Sequence, residues 1–328
     1  MLRIQIENIE RIADEWYMLL NDFLTIRNYK SKMLSSISDS QLSQQEQSIG
    51  IGLVMSYFTN LKYYVVADEQ ELMYQHELYN NCFLGMHKNR YEKLHKKLAH
   101  IFSNLYTAFT KYEPANLIYP IAYHFFYKLD IRTCPYCNRS YTFTVYKYSG
   151  KKTRPEYDHF YDKANNPLLA LSFYNLVPSC HDCNRIKSTD TININPYFRK
   201  FRGRFKIYEQ PRKDSIPQPL NAIELLKADH WRDIRLDTNS QMERNDMATF
   251  ALDELYKNHS DYIREIVINA QAYSTHARAA LVTSFQGAGH SPDQVYDFVW
   301  GKDLETANQI NRPLSKLTRD ILDQLEIQ

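Results

Sequence analysis

Two Cys-x-x-Cys pairs, about forty residues apart, constrain this chain more than any other feature of its sequence. The first pair lies in CPYCNRSYTF and the second in NLVPSCHDCNRIK, and their members are Cys134, Cys137, Cys180 and Cys183. A zinc ion in a structural site is bound tetrahedrally by four ligands, with thiolate sulfurs at about 2.3 Å. Pairs at this spacing place two thiolates on each of two tight turns, so the sequence predicts that the chain folds around zinc.

Other uses of these cysteines fit the sequence less well. The chain has five cysteines, with Cys82 standing apart from the pairs, and an odd number does not indicate a disulfide framework. A redox pair needs only one Cys-x-x-Cys, usually in a thioredoxin-like βαβ setting, and that pattern is missing. Because four thiolates leave no open coordination position, we expect the zinc to be structural. It would clamp a small element that has little core of its own.

Composition points to a globular, mostly helical protein. Of 328 residues, 44% are hydrophobic and only eight are glycine, which favours helices over a turn-rich β fold. No run of about 18 apolar residues occurs, so we expect no membrane span. The N-terminus carries Glu7, Glu10, Asp14 and Glu15 among its apolar residues, as amphipathic helices do and signal peptides do not. We therefore expect a cytoplasmic protein.

The chain divides into three segments by pattern. Residues 1–125 read as a helical region, residues 126–210 as a compact core and residues 211–328 as a second helical region. In the first region one helix is predicted over Ile9 to Leu24. Another carries a single apolar stripe formed by Leu94, Leu98, Ile101, Leu105 and Ala108. In the last region one broad face runs from Leu252 to Tyr273, and a further helix is expected to begin near Asp293.

The middle segment changes character. YTFTVYKY, from Tyr141 to Tyr148, is rich in β-branched and aromatic residues and predicts a strand. RPEYDHF is expected to be the returning strand or the loop that ends it, and PLLALSFYNLV is an apolar run of ambiguous type. CHDCNRIKS predicts a short helix. The segment is therefore interpreted as strand, strand and short helix.

Four polar residues within or beside the cysteine pairs have the chemistry that phosphodiester hydrolysis requires. They are Asp158, His159, Asn175 and Asn184. A neutral imidazole can take a proton from an attacking water near pH 7, which suits His159 to the role of base. The charge that develops on phosphorus needs a hard cation, and Mg²⁺ is often held by one or two oxygen ligands plus waters and substrate. Asp158 and Asn184 can supply such oxygens.

The segment from Cys134 to Lys187 resembles the HNH endonucleases, or ββα-metal nucleases, in their four-cysteine form. The resemblance implies that His159 is the general base and that Asp158 and Asn184 bind catalytic Mg²⁺, with Mn²⁺ as the other candidate. It also implies that Asn175 holds the loop and the histidine in place. Asp162 stands where this group usually has proline, which raises the hypothesis that its carboxylate joins the metal shell.

The sequence EYDHFYDK, followed by PLLALSFYNLVPSCHDCNRIK, is most similar to those of PtuB-like nucleases of Septu and retron anti-phage defence systems. Those nucleases act beside an SMC-like ATPase, so the resemblance implies an ATPase partner and a role in antiviral defence. It covers about 55 residues strongly. The N-terminal helical region is longer than in a minimal member of that group.

A basic run follows the second cysteine pair. From Arg185 to Lys213 there are nine Lys and Arg residues and two acidic residues, a net charge of +7. The stretch RKFRGRFK suits backbone phosphates, with its phenylalanines either stacking on bases or packing inward. The predicted nucleic-acid contacts are Lys187, Arg199, Lys200, Arg202, Arg204 and Lys206. No base-reading code is evident, so the contacts predict sequence-independent binding, with DNA favoured over RNA by the resemblance.

We therefore expect an α+β, mostly helical protein in which helical regions flank a zinc-clamped ββα-metal (HNH) nuclease core. The alternative is a zinc-stabilised subunit that binds nucleic acid or serves as a scaffold without cleaving. Such a subunit would keep the cysteines and the basic run but would have no need of Asp158 and His159.

Overall fold

The computed structural model describes residues 1–39, 41–83, 88–147, 152–209, 216–228, 233–273 and 275–327. Its fold is α+β and mostly helical, with small two-stranded sheets, as the sequence predicts at this coarse level. Within the described ranges, every helix is too short or too polar to cross a membrane.

The chain forms two compact units, each built from separated stretches of sequence. The first, here called the site unit, comprises Gln5–Asp130 and Phe143–Thr191. The second, here called the C-terminal unit, comprises Met1–Ile4, Ile131–Thr142 and Ile192–Gln328. The three segments read from the sequence are contiguous, whereas each unit combines stretches from more than one of them.

Seven helices open the site unit. They are α1 (Ile9–Ile26), α2 (Tyr29–Ser38), α3 (Gln44–Thr59), α4 (Leu61–Val65), α5 (Glu69–Asn81), α6 (Lys88–Thr110) and α7 (Ile121–Leu129). α1 confirms the helix predicted over Ile9 to Leu24. The stripe predicted for α6 faces the core, since Leu94 and Leu98 are fully buried while Ala108 is half-buried. Trp16 of α1 packs edge-on against Phe109 and Phe125 and anchors these helices to one another.

The strands of the site unit pair differently from the sequence expectation. They are β1 (Val145–Tyr146), β2 (Lys152–Thr153), β3 (Glu156–His159) and β4 (Leu176–Ser179), and α8 (His181–Lys187) follows them. β1 pairs only with β2, so the strand predicted over Tyr141 to Tyr148 shrinks to two residues, and Tyr148 lies outside the described residues. The antiparallel partner of β3 is β4, which comes from the apolar run of ambiguous type.

β4 was ambiguous in sequence for a physical reason. All four of its residues are buried, so they show no alternation between apolar and polar side chains. Its pairing places His159 opposite Leu176, at the end of the ladder, and α8 begins two residues after β4 ends. A strand, strand, short helix order is present, but its strands are β3 and β4, whereas the sequence predicted Tyr141 to Tyr148 as the first strand and RPEYDHF as the second.

The C-terminal unit contains one strand pair and seven helices among its described residues. They are β5 (Arg204–Ile207), α9 (Ala222–Lys227), β6 (Ile234–Asp237), α10 (Gln241–Thr249), α11 (Leu252–Lys257), α12 (Ser260–Ala272), α13 (Thr275–Gly287), α14 (Pro292–Trp300) and α15 (Ser315–Gln324). α14 confirms the helix expected near Asp293. The broad face from Leu252 to Tyr273 is divided between α11 and α12, because the backbone leaves α-helical geometry at His259.

Candidate active site and metal centre

The four predicted zinc ligands lie together. The Sγ atoms of Cys134, Cys137, Cys180 and Cys183 are all within 4.8 Å of one another, and all four residues are buried. A tetrahedral ion bound at 2.3 Å holds its sulfurs about 3.8 Å apart, so a small inward movement closes the cluster around zinc. None of the five cysteines forms a disulfide. The cluster is compatible with a structural zinc site, as the spacing predicts.

Backbone N–H groups support the thiolates of both pairs. After the first pair the chain turns back on itself: the N–H of Asn138 donates to the carbonyl of Cys134 at 2.7 Å, and Asn138 is left-handed with φ 50°. The next N–H, of Arg139, donates to the Sγ of Cys137 at 3.4 Å. The second pair starts α8, where the first sulfur accepts from the N–H of the second cysteine at 3.4 Å. Donors aimed at sulfur favour the deprotonated, metal-binding form.

His159 ends β3 with its ring held in one orientation. Its Nε2 lies 3.1 Å from the carbonyl oxygen of Ala170, so Nε2 carries the proton and Nδ1 keeps the lone pair. Burial, and next the positive charges of Lys163 and Lys187, lower the pKa of His159 to about 3, although the Ala170 carbonyl opposes the shift. The imidazole is therefore neutral across the physiological pH range, but a pKa this low makes it a weaker base than an imidazole whose pKa lies near neutral pH.

Two residues beside His159 were missed by reasoning from the sequence. Tyr106 of α6 meets the imidazole edge-on, with ring centroids 4.8 Å apart, and burial raises its pKa to about 12. The Nζ of Lys163 lies 4.8 Å from the centre of the same tyrosine ring. Neither residue belongs to a recognisable motif. Tyr106 sits beside the apolar stripe of α6, where a tyrosine usually indicates only packing.

Asn175 braces the loop that follows His159. It is fully buried, and its Nδ2 donates to the carbonyls of Tyr161 and Leu169, both at 3.0 Å. Its Oδ1 accepts from the N–H of Tyr161 at 2.7 Å, and its own carbonyl accepts from the N–H of Phe160 at 2.8 Å. Both ends of the loop between the base and β4 are thereby fixed by one side chain.

Asp162 caps the same loop. Its Oδ1 accepts from the N–H groups of Ala164 and Asn165, at 3.1 and 2.9 Å, and its Oδ2 accepts from the Asn165 amide at 3.0 Å. These bonds close the turn that proline would otherwise stiffen. The carboxylate is thus engaged within the loop, and the hypothesis that it joins a metal shell receives no support from this arrangement.

Asp158 and Lys187 form a buried ion pair. Their side chains are 2% and 0% exposed, and the Nζ of Lys187 lies 3.3 Å from Oδ1 of Asp158. The same Nζ donates to the carbonyl of His159 at 2.7 Å. Lys187 therefore does not present its ammonium to solvent as the predicted phosphate contact would require. The ammonium of Lys187 instead fixes the end of β3. Its charge is neutralised by Asp158, because a buried ammonium needs a nearby carboxylate.

Glu156 and Asn184 meet at a more open position. Residues 156 and 158 lie on the same side of β3, which alternates its side chains. Oε2 of Glu156 accepts from Nδ2 of Asn184 at 2.6 Å, and Oε1 lies 2.9 Å from Nδ1 of His181. Burial would raise the pKa of Glu156, but the hydrogen bonds from His181 and Asn184 outweigh it and lower that pKa. The carboxylate is therefore ionised, and its side chain is 40% exposed.

The basic run lies in the C-terminal unit, apart from Arg185 and Lys187, which belong to α8 in the site unit. Four of its predicted contacts, Arg199, Lys200, Arg202 and Arg204, are exposed, and Lys206 is half-buried. Phe201 and Phe205 are 3% and 1% exposed, so the aromatics pack inward, which decides between the two possibilities left open by the sequence. Two of the cations carry acidic partners, at 3.1 Å for Arg204 with Asp323 and 2.7 Å for Lys206 with Asp237. Arg212 and Lys213 lie outside the described residues.

Comparisons of the chain with protein-family models, with curated proteins and with solved structures found no match. Any assignment of activity therefore depends on the residues and the geometry given above.

Proposed function

We propose that the chain is a metal-dependent HNH-type endonuclease, which hydrolyses phosphodiester bonds of nucleic acid, with DNA favoured. One observation carries the proposal: β3, β4 and α8 form a strand–strand–helix unit that holds a neutral imidazole at the end of its first strand. The four-cysteine cluster at the start of α8 also supports the proposal. The buried ring alone would fit an ordinary core histidine, but such a residue has no need of this loop and clamp.

His159 is suited to take a proton from a water that attacks phosphorus. With Nε2 donating to the Ala170 carbonyl, the free lone pair of Nδ1 is the only proton acceptor on the ring. As the new O–P bond forms, the water proton passes to Nδ1 and the opposite P–O bond breaks. Asn175 keeps the loop in place while this happens, so that the ring does not turn away from its acceptor.

A hard divalent cation, when bound, would stabilise the negative charge on the phosphate and on the leaving oxygen. The oxygen donors that fit such an ion are the carboxylate of Glu156 and the amide oxygen of Asn184, once the amide turns its oxygen inward. Glu156 lies on the side of β3 opposite to that of His159, so the base and the ion can face one phosphate only if the strand ends or bends at His159. Mg²⁺ needs only one or two protein ligands of this kind. Asp158 remains a predicted ligand, and its use requires that the ammonium of Lys187 move off its carboxylate.

The alternative proposal is a subunit that binds nucleic acid without cleaving it. The buried Asp158–Lys187 pair favours it, because a carboxylate neutralised in this way offers a metal ion less than an open one does. Such a protein would still need zinc for stability and the exposed cations for phosphate contacts.

Cleavage of plasmid DNA by the purified full chain, with Mg²⁺ or Mn²⁺, tests the proposal. We expect His159→Ala to lower the rate at least a hundredfold, the usual contribution of a general base. The matched control is His100→Ala, since His100 is exposed on α6 and bonds only Asn104 among described residues. Equal rates for wild type and His159→Ala, or cleavage that survives EDTA, would contradict the proposal.

On the resemblance alone, we propose that the chain is a cytoplasmic effector of an anti-phage system that works with an ATPase. The chain would then co-purify with the product of an adjacent ATPase gene, and the cleavage assay is to be repeated on that complex. Nucleolytic activity in neither the chain nor the complex would favour the binding subunit.

A further inference from the structure

A group of four tyrosines, here called the tyrosine patch, lies where α7 meets the β1–β2 hairpin. Its members are Tyr119, Tyr123, Tyr127 and Tyr146, all in the site unit. Ring centroids are 4.8 Å apart for Tyr119 and Tyr127, 5.5 Å for Tyr119 and Tyr146, and 5.1 Å for Tyr123 and Tyr146. Tyr127 is 39% exposed and the other three are half-buried. The rings thus form a continuous aromatic surface that reaches solvent.

Two exposed cations border the tyrosine patch. The Nζ of Lys152 lies 4.4 Å from the ring centre of Tyr146, and the guanidinium of Arg154 lies 5.8 Å from that of Tyr123. Among the described residues, no carboxylate lies within salt-bridge distance of Lys152 or Arg154. The charge of Arg154 contributes to the lowered pKa of Glu156, two residues further along the chain, so that carboxylate offsets part of it. Lys152 and Arg154 thus place two exposed positive charges beside the rings.

Ring contacts connect the tyrosine patch with the strand that carries His159. Arg154 also covers the ring of Phe126, at 5.4 Å, and Phe126 stacks on Tyr157 of β3 with centroids 4.0 Å apart. Phe126 and Tyr157 are buried, so this connection is part of the core and not of the surface. Tyr157 lies two residues before His159, which places the patch within a few side chains of the candidate base.

The basic run cannot offer the same kind of surface. Phe201 and Phe205 are buried, so the stretch from Arg199 to Lys206 presents cations without rings. Unpaired bases bind by stacking on exposed aromatic rings, while cations follow the sugar–phosphate backbone. The tyrosine patch combines partly exposed aromatic rings with two exposed cations near the proposed catalytic strand.

We propose that the tyrosine patch binds single-stranded nucleic acid, with bases on its rings and phosphates on Lys152 and Arg154. The inference rests on the proposed function and narrows its substrate to single strands or to unpaired ends and loops. Stacking tolerates any base, so the binding is expected to be sequence-independent.

Fluorescence anisotropy with labelled 12-nucleotide DNA, as a single strand and as a duplex, tests the proposal. The full chain carries His159→Ala in every sample, so binding is measured without cleavage. We expect Tyr127→Ala to weaken single-strand binding about tenfold, since each stacked base contributes about 1–3 kcal/mol. Tyr127→Phe should retain it, and duplex binding should change less than twofold. RNA of the same sequence shows which nucleic acid is preferred.

Tyr74→Ala is the matched control, because Tyr74 is 56% exposed on α5, outside the patch. Replacing Lys152 and Arg154 together by glutamine should reduce the salt dependence of single-strand binding by about 0.7 per cation lost in log K against log salt. Thermal unfolding of each variant shows whether it is folded. If Tyr127→Ala does not fold, the double glutamine variant tests the proposal in its place, because both cations are exposed and their loss leaves the core intact.

Equal binding by the Tyr127→Ala and Tyr74→Ala variants would overturn the proposal. So would equal losses for single strand and duplex, or loss of a co-purifying protein with oligonucleotide binding intact, which would make the patch a protein interface. These results leave the nuclease proposal standing. Intact patch-dependent binding in a wild-type chain that cleaves nothing would contradict the nuclease proposal alone.

Discussion

At the scale of single residues, the environment of His159 decides what the side chain can do. A lone Asp-His pair in a sequence says little, but burial against Tyr106 and the nearby ammonium groups of Lys163 and Lys187 keep this imidazole neutral. His159 therefore stays unprotonated in the folded chain at pH values where the same residue is protonated in the unfolded chain. That difference links stability to pH.

We expect the free energy of unfolding to fall as the pH falls below about 6.5, the usual pKa of histidine in an unfolded chain. The pKa of His159 is lowered in the folded state, so its contribution to stability is present above 6.5 and is lost toward 3. One such group adds a slope of up to about 1.4 kcal/mol per pH unit. Urea unfolding at pH 7, 6.5, 6 and 5.5, with zinc content checked, measures it.

The His159→Gln variant should show a shallower slope than wild type over the same pH range. His95 and His259, whose pKa values burial also lowers, retain their share in both proteins, so the difference isolates residue 159. The exposed control His100→Gln should keep the wild-type slope. Identical slopes for wild type and His159→Gln would show that folding does not lower the pKa of His159.

For some single residues the role was predictable from the sequence, and for others it was not. Residue types and spacing were enough to single out the cysteines, His159, Asn175 and Asn184. They could not show that Lys187 is buried on Asp158, because a lysine at the end of a short polar helix reads as solvent-exposed. Nor could they select Glu156, since which carboxylate stays open depends on how α8 packs against β3.

At the scale of elements, the turn after the first cysteine pair is held from a distant part of the chain. Asn138 is 1% exposed, and its Nδ2 donates to Oγ1 of Thr133 at 3.0 Å and to the carbonyl of Gln309 at 2.9 Å. Its Oδ1 accepts from the N–H of Lys316, at the start of α15, at 3.0 Å. Within the C-terminal unit, α15 is therefore docked on this turn.

We expect Asn138→Gly to lower the free energy of unfolding by about 3 kcal/mol, because it leaves several buried groups without hydrogen-bond partners. Asn138→Ala should cost about 1 kcal/mol more, since residue 138 has φ 50° and only glycine adopts that conformation without strain. Urea unfolding of both variants measures the difference. Greater stability of the alanine variant would show that the left-handed backbone is not what the turn requires.

Elements were predicted well where periodicity is strong and poorly where it is not. The amphipathic patterns of α1 and α6 gave their positions, and the break GAGHSP, from Gly287 to Pro292, gave the start of α14. The partner of β3 was missed because β4 is buried on both sides and carries no alternation. α15 lies within the C-terminal region that the sequence predicts to be helical, although no separate helix was predicted there. Its docking on a turn far away in sequence could not be predicted from local pattern.

At the scale of the whole molecule, the buried thiol cluster is expected to control stability. Structural zinc contributes its binding free energy to folding, because the unfolded chain has no preformed site. One bound ion would therefore stabilise the folded state by several kcal/mol, on the order seen for structural sites.

The purified chain should contain one zinc per molecule by metal analysis, and Cys183→Ser should contain less than a tenth of that. Its thermal unfolding temperature should fall by at least 10 °C, which corresponds to a loss of about 7 kcal/mol for a protein of this size. Cys82→Ser is the matched control, because Cys82 lies outside the cluster, and it should match wild type in both measurements. A zinc-free chain with wild-type stability would show that the four thiols simply pack together.

The acceptor that orients the proposed base is a main-chain oxygen, that of Ala170. No amino-acid replacement at position 170 removes that oxygen, but Ala170 is 0% exposed, so a larger side chain there would disturb the packing around it. The position of the oxygen also depends on Asn175, whose amide donates to the neighbouring carbonyl of Leu169. Random mutagenesis selected for loss of function should then return position 175 with small and large replacements alike, and position 170 with large replacements only.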